Sequence, residues 1–244
     1  MDQVELSIVI PFFNEEKRLE PRLTQSINYL TTNLNKPLEI VFVDDGSTDQ
    51  TLSLLNQTRD RFPHLEINAI SYPVNGGKGL AVKRGVLAAR GKKILVTDAD
   101  FSIDLDETAK FIEKLEDADI VIGSKKHLLA NTVNHQKMPR RILGKGFTAL
   151  SNFILGLSFT DITCGFRAFR SEPAKLLFSK QVMSRWSYDA ETLFLAKKFN
   201  YRVCELPVKW HHIEGSKVSP IRDTIRSLKD LVTIVLNDYH GKYD

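Results

Sequence analysis

Residues 93–100 read Lys-Ile-Leu-Val-Thr-Asp-Ala-Asp, an apolar run that ends in two carboxylates separated by one small residue. A short continuous apolar run is typical of a strand buried on both faces, as in a parallel sheet covered by helices. At the end of such a strand, Asp98 and Asp100 can hold Mg²⁺ or Mn²⁺ while a substrate diphosphate fills the remaining coordination positions. The segment therefore predicts a buried strand and a candidate metal site, although a strand-end turn with two solvated carboxylates gives the same pattern.

The chain around this segment alternates strand-like and helix-like stretches. Apolar runs without polar alternation occur at 6–10, 38–43, 65–70, 93–97 and 120–122. Such runs, separated by helical patterns, predict an α/β fold with a mostly parallel central sheet flanked by helices. Ligands of these sheets gather at the carboxyl ends of the strands, where this sequence has polar motifs at Asn14, Asp44 and Asp98.

The second half of the chain is less regular. Its pattern predicts helices at 141–155 and 188–199 and strands at 165–169 and 202–208. A last helix is expected after Ser219-Pro220, because serine is a favourable N-cap and proline suits the first helical position.

The last predicted helix has an apolar stripe formed by Ile221, Ile225, Leu228, Val232 and Val235. One interpretation is that the stripe packs against the domain. The other is that the helix rests on a membrane surface, where Arg222, Arg226 and Lys229 would meet lipid head groups. The spacing alone is compatible with both.

The net charge of +4, from 34 Lys and Arg against 30 Asp and Glu, is too small to indicate a nucleic-acid-binding protein. The distribution of charge is more informative, because residues 120–160 contain neither Asp nor Glu. The cations of this segment are Lys125, Lys126, Lys137, Arg140, Arg141 and Lys145. An anionic partner is expected there, and the lack of a nucleic-acid-binding motif argues against DNA or RNA.

The longest apolar stretch, at 149–159, is interrupted by polar residues and is shorter than the roughly 20 residues that span a bilayer. Cys164 and Cys204 are far apart and in no metal-ligand spacing, which fits a reducing compartment. The sequence therefore predicts a cytoplasmic protein without a transmembrane segment.

Two further motifs suit a nucleotide diphosphate. Asp44 and Asp45 open the turn Asp-Asp-Gly-Ser-Thr-Asp, where paired acids can accept hydrogen bonds from a ribose or a base edge. The alternative is a tight strand-to-helix turn, which Gly46 permits. Gly76-Gly77-Lys78-Gly79 precedes a predicted helix and suits close approach to phosphate, but it lacks the spacing of a P-loop.

In combination and in order, these motifs resemble those of inverting family 2 glycosyltransferases with the GT-A fold, and within them the branch of dolichyl-phosphate glucosyltransferases and mannose synthases. The segments that carry the resemblance are Ile-Pro-Phe-Phe-Asn-Glu-Glu at 10–16, Val-Asp-Asp-Gly-Ser-Thr-Asp at 43–49, Gly-Gly-Lys-Gly at 76–79, Thr-Asp-Ala-Asp at 97–100, Ile-Gly-Ser at 122–124, Asp-Ile-Thr-Cys-Gly-Phe-Arg at 161–167, Arg-Trp-Ser-Tyr-Asp-Ala-Glu at 185–191 and Glu-Gly-Ser-Lys at 214–217. The similarity implies one glycosyltransferase domain over 1–244. Its nucleotide-sugar-binding half would be 1–123 and its acceptor-binding half 124–244, ending in the amphipathic helix.

The resemblance also implies a donor site at the strand ends. Its residues would be Pro11, Asn14, Glu15 and Asp44 around the nucleoside, Lys78 and Lys217 on the diphosphate, and Asp98, Ala99 and Asp100 at the metal. Asp100 would be the main ligand of Mg²⁺ or Mn²⁺, with Asp98 near the ribose or the metal. Both acids would be catalytic, because the metal neutralises the diphosphate that leaves.

The acceptor decides whether a base is required. A sugar hydroxyl must lose a proton during attack, whereas a lipid phosphate is already anionic near neutral pH and needs cations instead. Arg140 and Arg141 offer planar forks for phosphate, while Lys125 stands where this branch more usually has arginine. Asp189 and Glu191 are the candidates for a catalytic base or for orienting groups, and an acidic pair that favours the helix dipole is the alternative.

We therefore expect a hexosyltransferase that moves glucose from UDP-glucose to a dolichyl or polyprenyl phosphate. Mannosyl transfer from GDP-mannose and transfer to a sugar or protein hydroxyl are the enzymatic alternatives. A nucleotide-sugar-binding module without turnover is disfavoured because Asp98 and Asp100 are both present. Eukaryotic members of the branch carry an N-terminal hydrophobic anchor that is not seen in this sequence. Either that anchor was removed or the protein docks peripherally at the cytoplasmic face of a membrane.

Overall fold

The computed structural model describes residues 4–20, 22–34, 36–127, 130, 132–133, 138–211, 213 and 220–244, and at 132–133, 138–143 and 220–224 it describes the backbone alone. The strands in this part of the chain are β1 (Leu6–Phe12), β2 (Leu38–Asp44), β3 (Glu66–Ser71), β4 (Lys93–Val96), β5 (Ile120–Ser124), β6 (Thr132–Val133), β7 (Arg167–Arg170), β8 (Val203–Pro207) and β9 (Trp210–His211). The helices are α1 (Glu16–Leu19), α2 (Arg22–Asn33), α3 (Thr51–Arg61), α4 (Lys78–Ala88), α5 (Thr108–Lys114), α6 (Met138–Leu155), α7 (Ser171–Lys180), α8 (Tyr188–Lys198) and α9 (Pro220–Tyr239).

Within the described ranges, seven strands form one sheet in the order β3-β2-β1-β4-β7-β5-β8. Neighbouring strands are parallel except around β7, which runs antiparallel to both β4 and β5. The short strands β6 and β9 pair separately and in parallel. The prediction of an α/β fold with a mostly parallel sheet is confirmed, whereas the direction of β7 is not encoded in its apolar pattern.

Strand β1 shows why the sheet lies at the centre of the molecule. All seven of its residues are buried. Ile8 and Ile10 belong to the apolar layer that includes Leu23 of α2, whereas Val9 belongs to the layer that includes Val82 of α4. Alternate residues of a strand point to opposite faces, so helices on both faces require an unbroken apolar run.

Helix α4 approaches the sheet closely at Gly85. A Cβ atom at this position would lie 2.9 Å from Cγ2 of Val43, which is closer than real Cβ atoms come to their neighbours. Glycine therefore lets α4 pack directly on the sheet. This contact matters for the candidate site because α4 begins with Lys78.

Helix α7 is an element that the sequence pattern does not predict. Its first turn contains Pro173, which is tolerated there because the first N–H groups of a helix have no partner within the helix. Its inward face contributes Ala174, Leu177 and Phe178 to the core. The helix is only ten residues long. It therefore has too few turns for a helical repeat of apolar residues to be recognised in the sequence beside the preceding strand.

The C-terminal helix α9 begins at Pro220, as predicted, and its Leu231 and Ile234 are fully buried. The predicted apolar stripe divides between two environments. Leu228 packs against the core, as the packing interpretation predicts, whereas Ile225, Val232 and Val235 are exposed, and packing against the domain does not account for these three. The side chain of Ile221 lies outside the described residues. None of the helices in the described part of the chain is both long and apolar enough to cross a lipid bilayer.

Candidate active site

Three strand ends meet at one edge of the sheet. Phe12, the last residue of β1, is in register with Asp44, the last residue of β2. Strand β4 continues the same edge, because the N–H of Thr97 donates to the carbonyl of Val9 at 3.1 Å. The polar segments that follow β1, β2 and β4 therefore leave the sheet side by side, which is the arrangement that the position of the motifs predicts.

Lys78 and Asp98 form an ion pair at this edge. The Nζ atom of Lys78 lies 2.5 Å from Oδ1 of Asp98, 5.6 Å from the ring centroid of Trp186 and 5.8 Å from that of Tyr188. Burial disfavours the charged form of Lys78, but Asp98, with contributions from Tyr188 and Asp189, raises the pKa of the ammonium above its usual value. Burial also disfavours the charged form of Asp98, and there Lys78, together with Lys125 and Arg167, lowers the pKa of the carboxyl group. Both side chains are therefore charged at neutral pH.

The start of α4 adds a second electrostatic contribution beside this pair. Lys78 is the first residue of the helix, and Gly77 before it has a φ of 97°, which glycine adopts more readily than other residues. The N-terminal end of a helix carries partial positive charge and unpaired N–H groups. The ammonium of Lys78 and the helix end together suit an anion such as a diphosphate.

Asp100 is the second acid of the predicted metal site. Its Oδ1 accepts a hydrogen bond from the N–H of Ser102 at 2.9 Å. Burial raises the pKa of Asp100, and the negative charge of Asp98 raises it further. Two carboxylates that repel each other in this way fit a divalent cation, because a cation would relieve the repulsion.

Asp98 and Asp100 supply only part of a coordination sphere. Within the described ranges, no group of three His, Cys, Asp or Glu side chains is arranged to hold a metal ion. Mg²⁺ is commonly bound by one or two carboxylates together with substrate phosphates, and Mn²⁺ accepts the same oxygen ligands. Ala99 between the acids is buried in the core. The residues present therefore fit a cation that binds together with a substrate diphosphate.

Gly165 provides the surface beneath the carboxylate of Asp98. A Cβ atom at position 165 would lie 2.7 Å from Cγ of Asp98, so a larger residue would displace the carboxylate. Gly165 precedes β7, whose antiparallel direction brings the start of this strand to the edge where the other strands end: Arg167 is in register with Val96 of β4. The sequence gives a weak signal for this role, a lone glycine before a short strand.

Asn14 and Asp44 connect the first loops of the site. Asn14 has a φ of 50°, and its Oδ1 accepts a hydrogen bond from the N–H of Thr48 at 2.8 Å. Asp44 accepts one from the hydroxyl of Ser71 at 2.9 Å and one from the N–H of Ser47 at 3.3 Å. The bond to Asn14 joins the loops after β1 and β2, while Asp44 connects the end of β2 to Ser71 at the end of β3.

Pro11 and Glu15 belong to the same part of the predicted nucleoside pocket. Pro11 is buried within β1. The carboxylate of Glu15 is held by Arg18, whose Nε and Nη2 atoms each lie 2.8 Å from one of its oxygens. Glu15 therefore has a structural partner at this edge. Contacts of the four predicted pocket residues with a nucleoside stay a prediction.

Asp45 has a structural role that its position beside Asp44 does not reveal. Its Oδ1 accepts hydrogen bonds from the hydroxyl of Tyr72 at 2.7 Å and from the N–H of Gly76 at 2.8 Å. Its Oδ2 accepts them from Nδ2 of Asn75 at 2.8 Å and from the N–H of Gly77 at 2.9 Å. The carboxylate thus shapes the loop before α4, which leaves Asp44 as the candidate for a ribose contact.

Arg167, the first residue of β7, is buried and forms an ion pair with Asp189, with 3.0 Å between Nη2 and Oδ1. Its Nε donates to the carbonyl of Cys164 at 2.9 Å, and its Nη2 donates to that of Ile162 at 2.5 Å. Burial raises the pKa of Asp189, while Arg167 opposes that shift. The guanidinium therefore ties the segment before β7 to the start of α8. The sequence does not indicate this structural role of Arg167, because its partners are backbone carbonyl groups and an acid that is distant along the chain.

Glu191 is buried, and both of its carboxylate oxygens are engaged. Oε1 accepts hydrogen bonds from the N–H of Val182 at 3.0 Å and from the hydroxyl of Tyr243 at 2.6 Å, and Oε2 accepts one from the N–H of Met183 at 2.8 Å. These bonds fasten the C-terminus and the segment before α8 to the helix. These structural bonds disfavour Glu191 as a base, and a catalytic role for it stays a prediction.

Lys125 is the residue of the predicted acceptor-phosphate site whose side chain is described. Its Nζ lies 5.9 Å from the ring centroid of Trp210. Burial disfavours its charge, but Asp161, together with Cys164 and Asp98, raises the pKa of Lys125. Asp161 also pairs with Lys126, with 3.0 Å between Nζ and Oδ1. The charge of Lys125 contributes to lowering the pKa of Asp98, which connects the predicted acceptor and donor sites.

The other predicted phosphate ligands are described only in part. Arg140 and Arg141 belong to α6, whose backbone begins at Met138, and their side chains lie outside the described residues. Lys217 lies outside them altogether. Contacts of these three residues with phosphate stay predictions.

Comparison with known proteins agrees with this geometry. The model of a family described as "Glycosyl transferase family 2" matches residues 7–178. The dolichyl-phosphate beta-glucosyltransferase of Dictyostelium discoideum is 36% identical, over 96% of this chain and 75% of that protein. The protein of the same name from Homo sapiens is 32% identical, over 98% of this chain and 77% of that protein.

A solved structure shows the same fold at lower identity. The crystal structure of glucosyl-3-phosphoglycerate synthase from Mycobacterium tuberculosis, in complex with Mn²⁺, uridine diphosphate and glucosyl-3-phosphoglycerate, matches with a TM-score of 0.64. Its identity is 18%, over 96% of this chain and 79% of that chain. The predicted GT-A fold is thereby confirmed.

Proposed function

We propose a specific reaction for this chain, which belongs to glycosyl transferase family 2. The protein is a hexosyltransferase that moves glucose from UDP-glucose to the phosphate of a dolichol or polyprenol. Similarity to dolichyl-phosphate beta-glucosyltransferases over nearly the whole chain supports the sugar and the acceptor. The structural observation that carries the proposal is the charged group of Lys78, Asp98 and Asp100 at the carboxyl ends of the strands. This group offers a cation and two metal-ligating acids to a nucleotide diphosphate.

The donor site would use the strand ends in the following way. Asp100 and Asp98 would hold Mg²⁺ or Mn²⁺, which when bound supplies positive charge to the leaving diphosphate. Lys78 would contact the same diphosphate from the start of α4, where the helix end also favours an anion. The resemblance to family 2 glycosyltransferases implies that Lys217 contacts this diphosphate as well. Asp44 would orient the ribose, since it ends β2 at the same edge of the sheet.

Two features favour a phosphate acceptor over a hydroxyl. Asp189 is buried, and its Oδ1 is held by Arg167 at 3.0 Å, which limits its use as a general base. Lys125 keeps its charge beside Asp161, in a segment that is rich in cations and free of acids. A phosphate arrives ionised and needs cations rather than a base. We therefore assign Asp189 an orienting role and assign Lys125, with Arg140 and Arg141, to the acceptor phosphate.

A lipid-linked acceptor requires the enzyme to work at a membrane. We assign the protein to the cytoplasmic face, docked peripherally, because Cys164 and Cys204 are both free thiols, as expected in a reducing compartment. Residues 1–123 would bind the donor and 124–244 the acceptor within one domain. The placement of β7 and β8 in the same sheet as the earlier strands supports that assignment.

A turnover screen tests the proposal. The purified protein is incubated with UDP-glucose, UDP-N-acetylglucosamine or GDP-mannose and a short-chain polyprenyl phosphate, with and without Mn²⁺, and products are identified by mass spectrometry. We expect a glucosylated polyprenyl phosphate from UDP-glucose, and only when a divalent cation is present. The matching polyprenol without phosphate is the acceptor control. Transfer to the polyprenol, or a preference for GDP-mannose, would contradict the assignment of acceptor or donor.

A further inference from the structure

We propose that the exposed sides of α6 and α9 form a docking face for an anionic lipid bilayer. The apolar part of this docking face is formed by Leu150 and Phe153 of α6 and by Ile225, Val232, Leu236 and Tyr239 of α9. The two helices pack against each other. The inference rests on the proposed function, because a lipid-phosphate acceptor resides in a membrane.

The apolar residues of the docking face are strongly exposed. Phe153 and Tyr239 are each 85% exposed, and Ile225 and Val232 are 53% and 52% exposed. Single exposed apolar side chains are common on soluble proteins, but several on adjacent elements indicate a surface that is covered in use.

The stripe on α9 is one face of the helix and is separate from the buried face. Ile225, Val232, Leu236 and Tyr239 follow one another at intervals of seven, four and three residues, which places them on one side of a helix. Leu231 and Ile234, which point into the core, are fully buried. Helix α9 is thus apolar on two sides, and of these the part of the chain that the structure describes buries one.

The charges around the stripe select the kind of partner. Lys145 of α6 and Arg226 and Lys229 of α9 are exposed, and the sequence of α6 contains no Asp or Glu. From 225 to 240 the acids are Asp230 and Asp238, and both are used within the protein. Asp230 accepts a hydrogen bond from the hydroxyl of Ser187 at 2.6 Å, and Asp238 pairs with Nζ of Lys198 at 2.8 Å.

The outward side of the two helices is therefore apolar and basic, as in helices that lie on anionic membranes. A second copy of this chain would bring cations against cations, which disfavours association. An anionic bilayer would bury the apolar stripe and attract the basic residues beside it.

The docking face is connected to the candidate active site. The bond from Ser187 to Asp230 joins α9 to the residue that precedes α8, and α8 carries Asp189. The first turn of α6 contains Arg140 and Arg141, which we assign to the acceptor phosphate. A protein docked through these helices would therefore hold its acceptor-binding half at the lipid surface.

Vesicle co-sedimentation tests the proposal directly. The full chain is mixed with vesicles of phosphatidylcholine alone or of phosphatidylcholine with phosphatidylglycerol, at low and high salt. We expect binding to the anionic vesicles that weakens at high salt. Replacing Arg226 and Lys229 together by Gln should weaken binding about 25-fold, since each basic residue near an anionic surface contributes about fivefold. Replacing Phe153 and Tyr239 together by Ser should reduce the bound fraction several-fold.

Matched variants elsewhere on the surface serve as controls. Tyr29→Ser removes an exposed tyrosine from α2, and Arg59→Gln with Lys114→Gln removes two exposed cations from α3 and α5. These should leave binding unchanged, and all variants should keep the melting temperature of the wild type. Equal loss in the controls and the docking-face variants would overturn the proposal. Conversion of a dimer into a monomer by Phe153→Ser/Tyr239→Ser, seen by analytical ultracentrifugation, would show that the face joins two copies and would also overturn it.

Turnover separates this inference from the proposed function. The Phe153→Ser/Tyr239→Ser variant should lose activity on polyprenyl phosphate embedded in vesicles but keep wild-type activity on a short-chain acceptor in solution. Wild-type protein that binds anionic vesicles without any turnover would refute the proposed function and support the docking face. Wild-type protein that turns over both acceptors without binding vesicles would refute the docking face alone.

Discussion

Arg167 of the antiparallel strand and Asp189 of α8 are joined by a buried ion pair, with 3.0 Å between Nη2 and Oδ1. The same guanidinium holds the carbonyls of Ile162 and Cys164, and the next residue, Gly165, lies against the carboxylate of Asp98. One side chain therefore connects the predicted acceptor half to an acid of the predicted metal site. Arg167 acts as a positioning residue, because it affects the site through its neighbours.

Breaking this pair should be costly. Arg167→Met leaves the carboxylate of Asp189 buried and unpaired, which should lower the free energy of unfolding by about 3–5 kcal/mol. Asp189→Leu should have a similar effect. The double variant should lose much less than the sum, because neither charge is then left alone. Urea denaturation of the four proteins gives the coupling energy, and strictly additive losses would contradict a direct interaction.

Gly165→Ala should impair activity far more than stability. The added Cβ would lie 2.7 Å from Cγ of Asp98, so the carboxylate must move while the core around β7 stays intact. We expect kcat/KM to fall by at least about a hundredfold, because a misplaced catalytic group loses that much. The control is Gly146→Ala on α6, where an added Cβ meets nothing within 4 Å. Steady-state kinetics and thermal melting of both variants provide the measurement.

Asp100→Asn should reduce transfer by at least about a hundredfold while the fold stays intact, because the leaving diphosphate loses metal-borne stabilisation. The exposed Asp117→Asn is the matched control. Activity is measured during titration of Mn²⁺ into protein treated with a chelator. Undiminished turnover of metal-depleted wild-type protein would rule out the metal assignment.

Tyr243→Phe should destabilise the protein in a pH-dependent way. Burial raises the pKa of Glu191, and the hydrogen bond from Tyr243 opposes that shift. Without the hydroxyl the pKa rises further, so the added cost is small while Glu191 is protonated and grows as the pH rises through its folded-state pKa. We expect a loss of about 1–3 kcal/mol at neutral pH and less near the ordinary pKa of a glutamate. Denaturation at both pH values, with Tyr239→Phe as control, checks the trend.

Arg140→Ala together with Arg141→Ala should weaken use of a lipid phosphate far more than binding of the donor. Each charge-assisted contact contributes roughly 1.5–3 kcal/mol when partly buried, so the KM for acceptor should rise tens-fold or more. Acceptor and donor are each titrated at saturating partner, at two salt concentrations, to separate site binding from general attraction to a charged surface. Arg59→Ala with Arg61→Ala is the control pair. An unchanged acceptor dependence would favour a hydroxyl acceptor.

The parallel part of the sheet could be predicted because a strand buried on both faces is a continuous apolar run, which is visible in the sequence. In β1 and β2 nearly every residue is apolar, and the acids that follow them mark the strand ends. Strand β7 has only four residues, two of them arginines. Its place between β4 and β5 depends on pairing with distant strands, for which a short segment carries no local signal.

The residues of the candidate site also differ in whether the sequence indicates their position. The meeting of Lys78 and Asp98 at one edge of the sheet could be expected, because the segments that follow parallel strands gather there. The contacts of Lys78, Asp98 and Asp100 with a metal or a diphosphate stay predictions. The roles of Gly165 and Arg167 could not be expected, since they consist of contacts made across the fold. Asp44 and Asp45 show the limit most clearly. They are identical and adjacent, and only the three-dimensional structure shows that Asp45 holds the loop before α4 while Asp44 bonds to Ser71 and Ser47 at the strand ends.

The position of β7 also affects how the chain can assemble during synthesis. Strand β7 is inserted between β4 and β5, although the ribosome releases it after both of them. Until residues 167–170 emerge, the inner edges of β4 and β5 have no strand to pair with. Unpaired edges of this kind favour aggregation, and pairing across long sequence separations is slow. The emerging chain therefore passes through an interval in which the centre of its sheet is incomplete, and chaperone protection would matter most there.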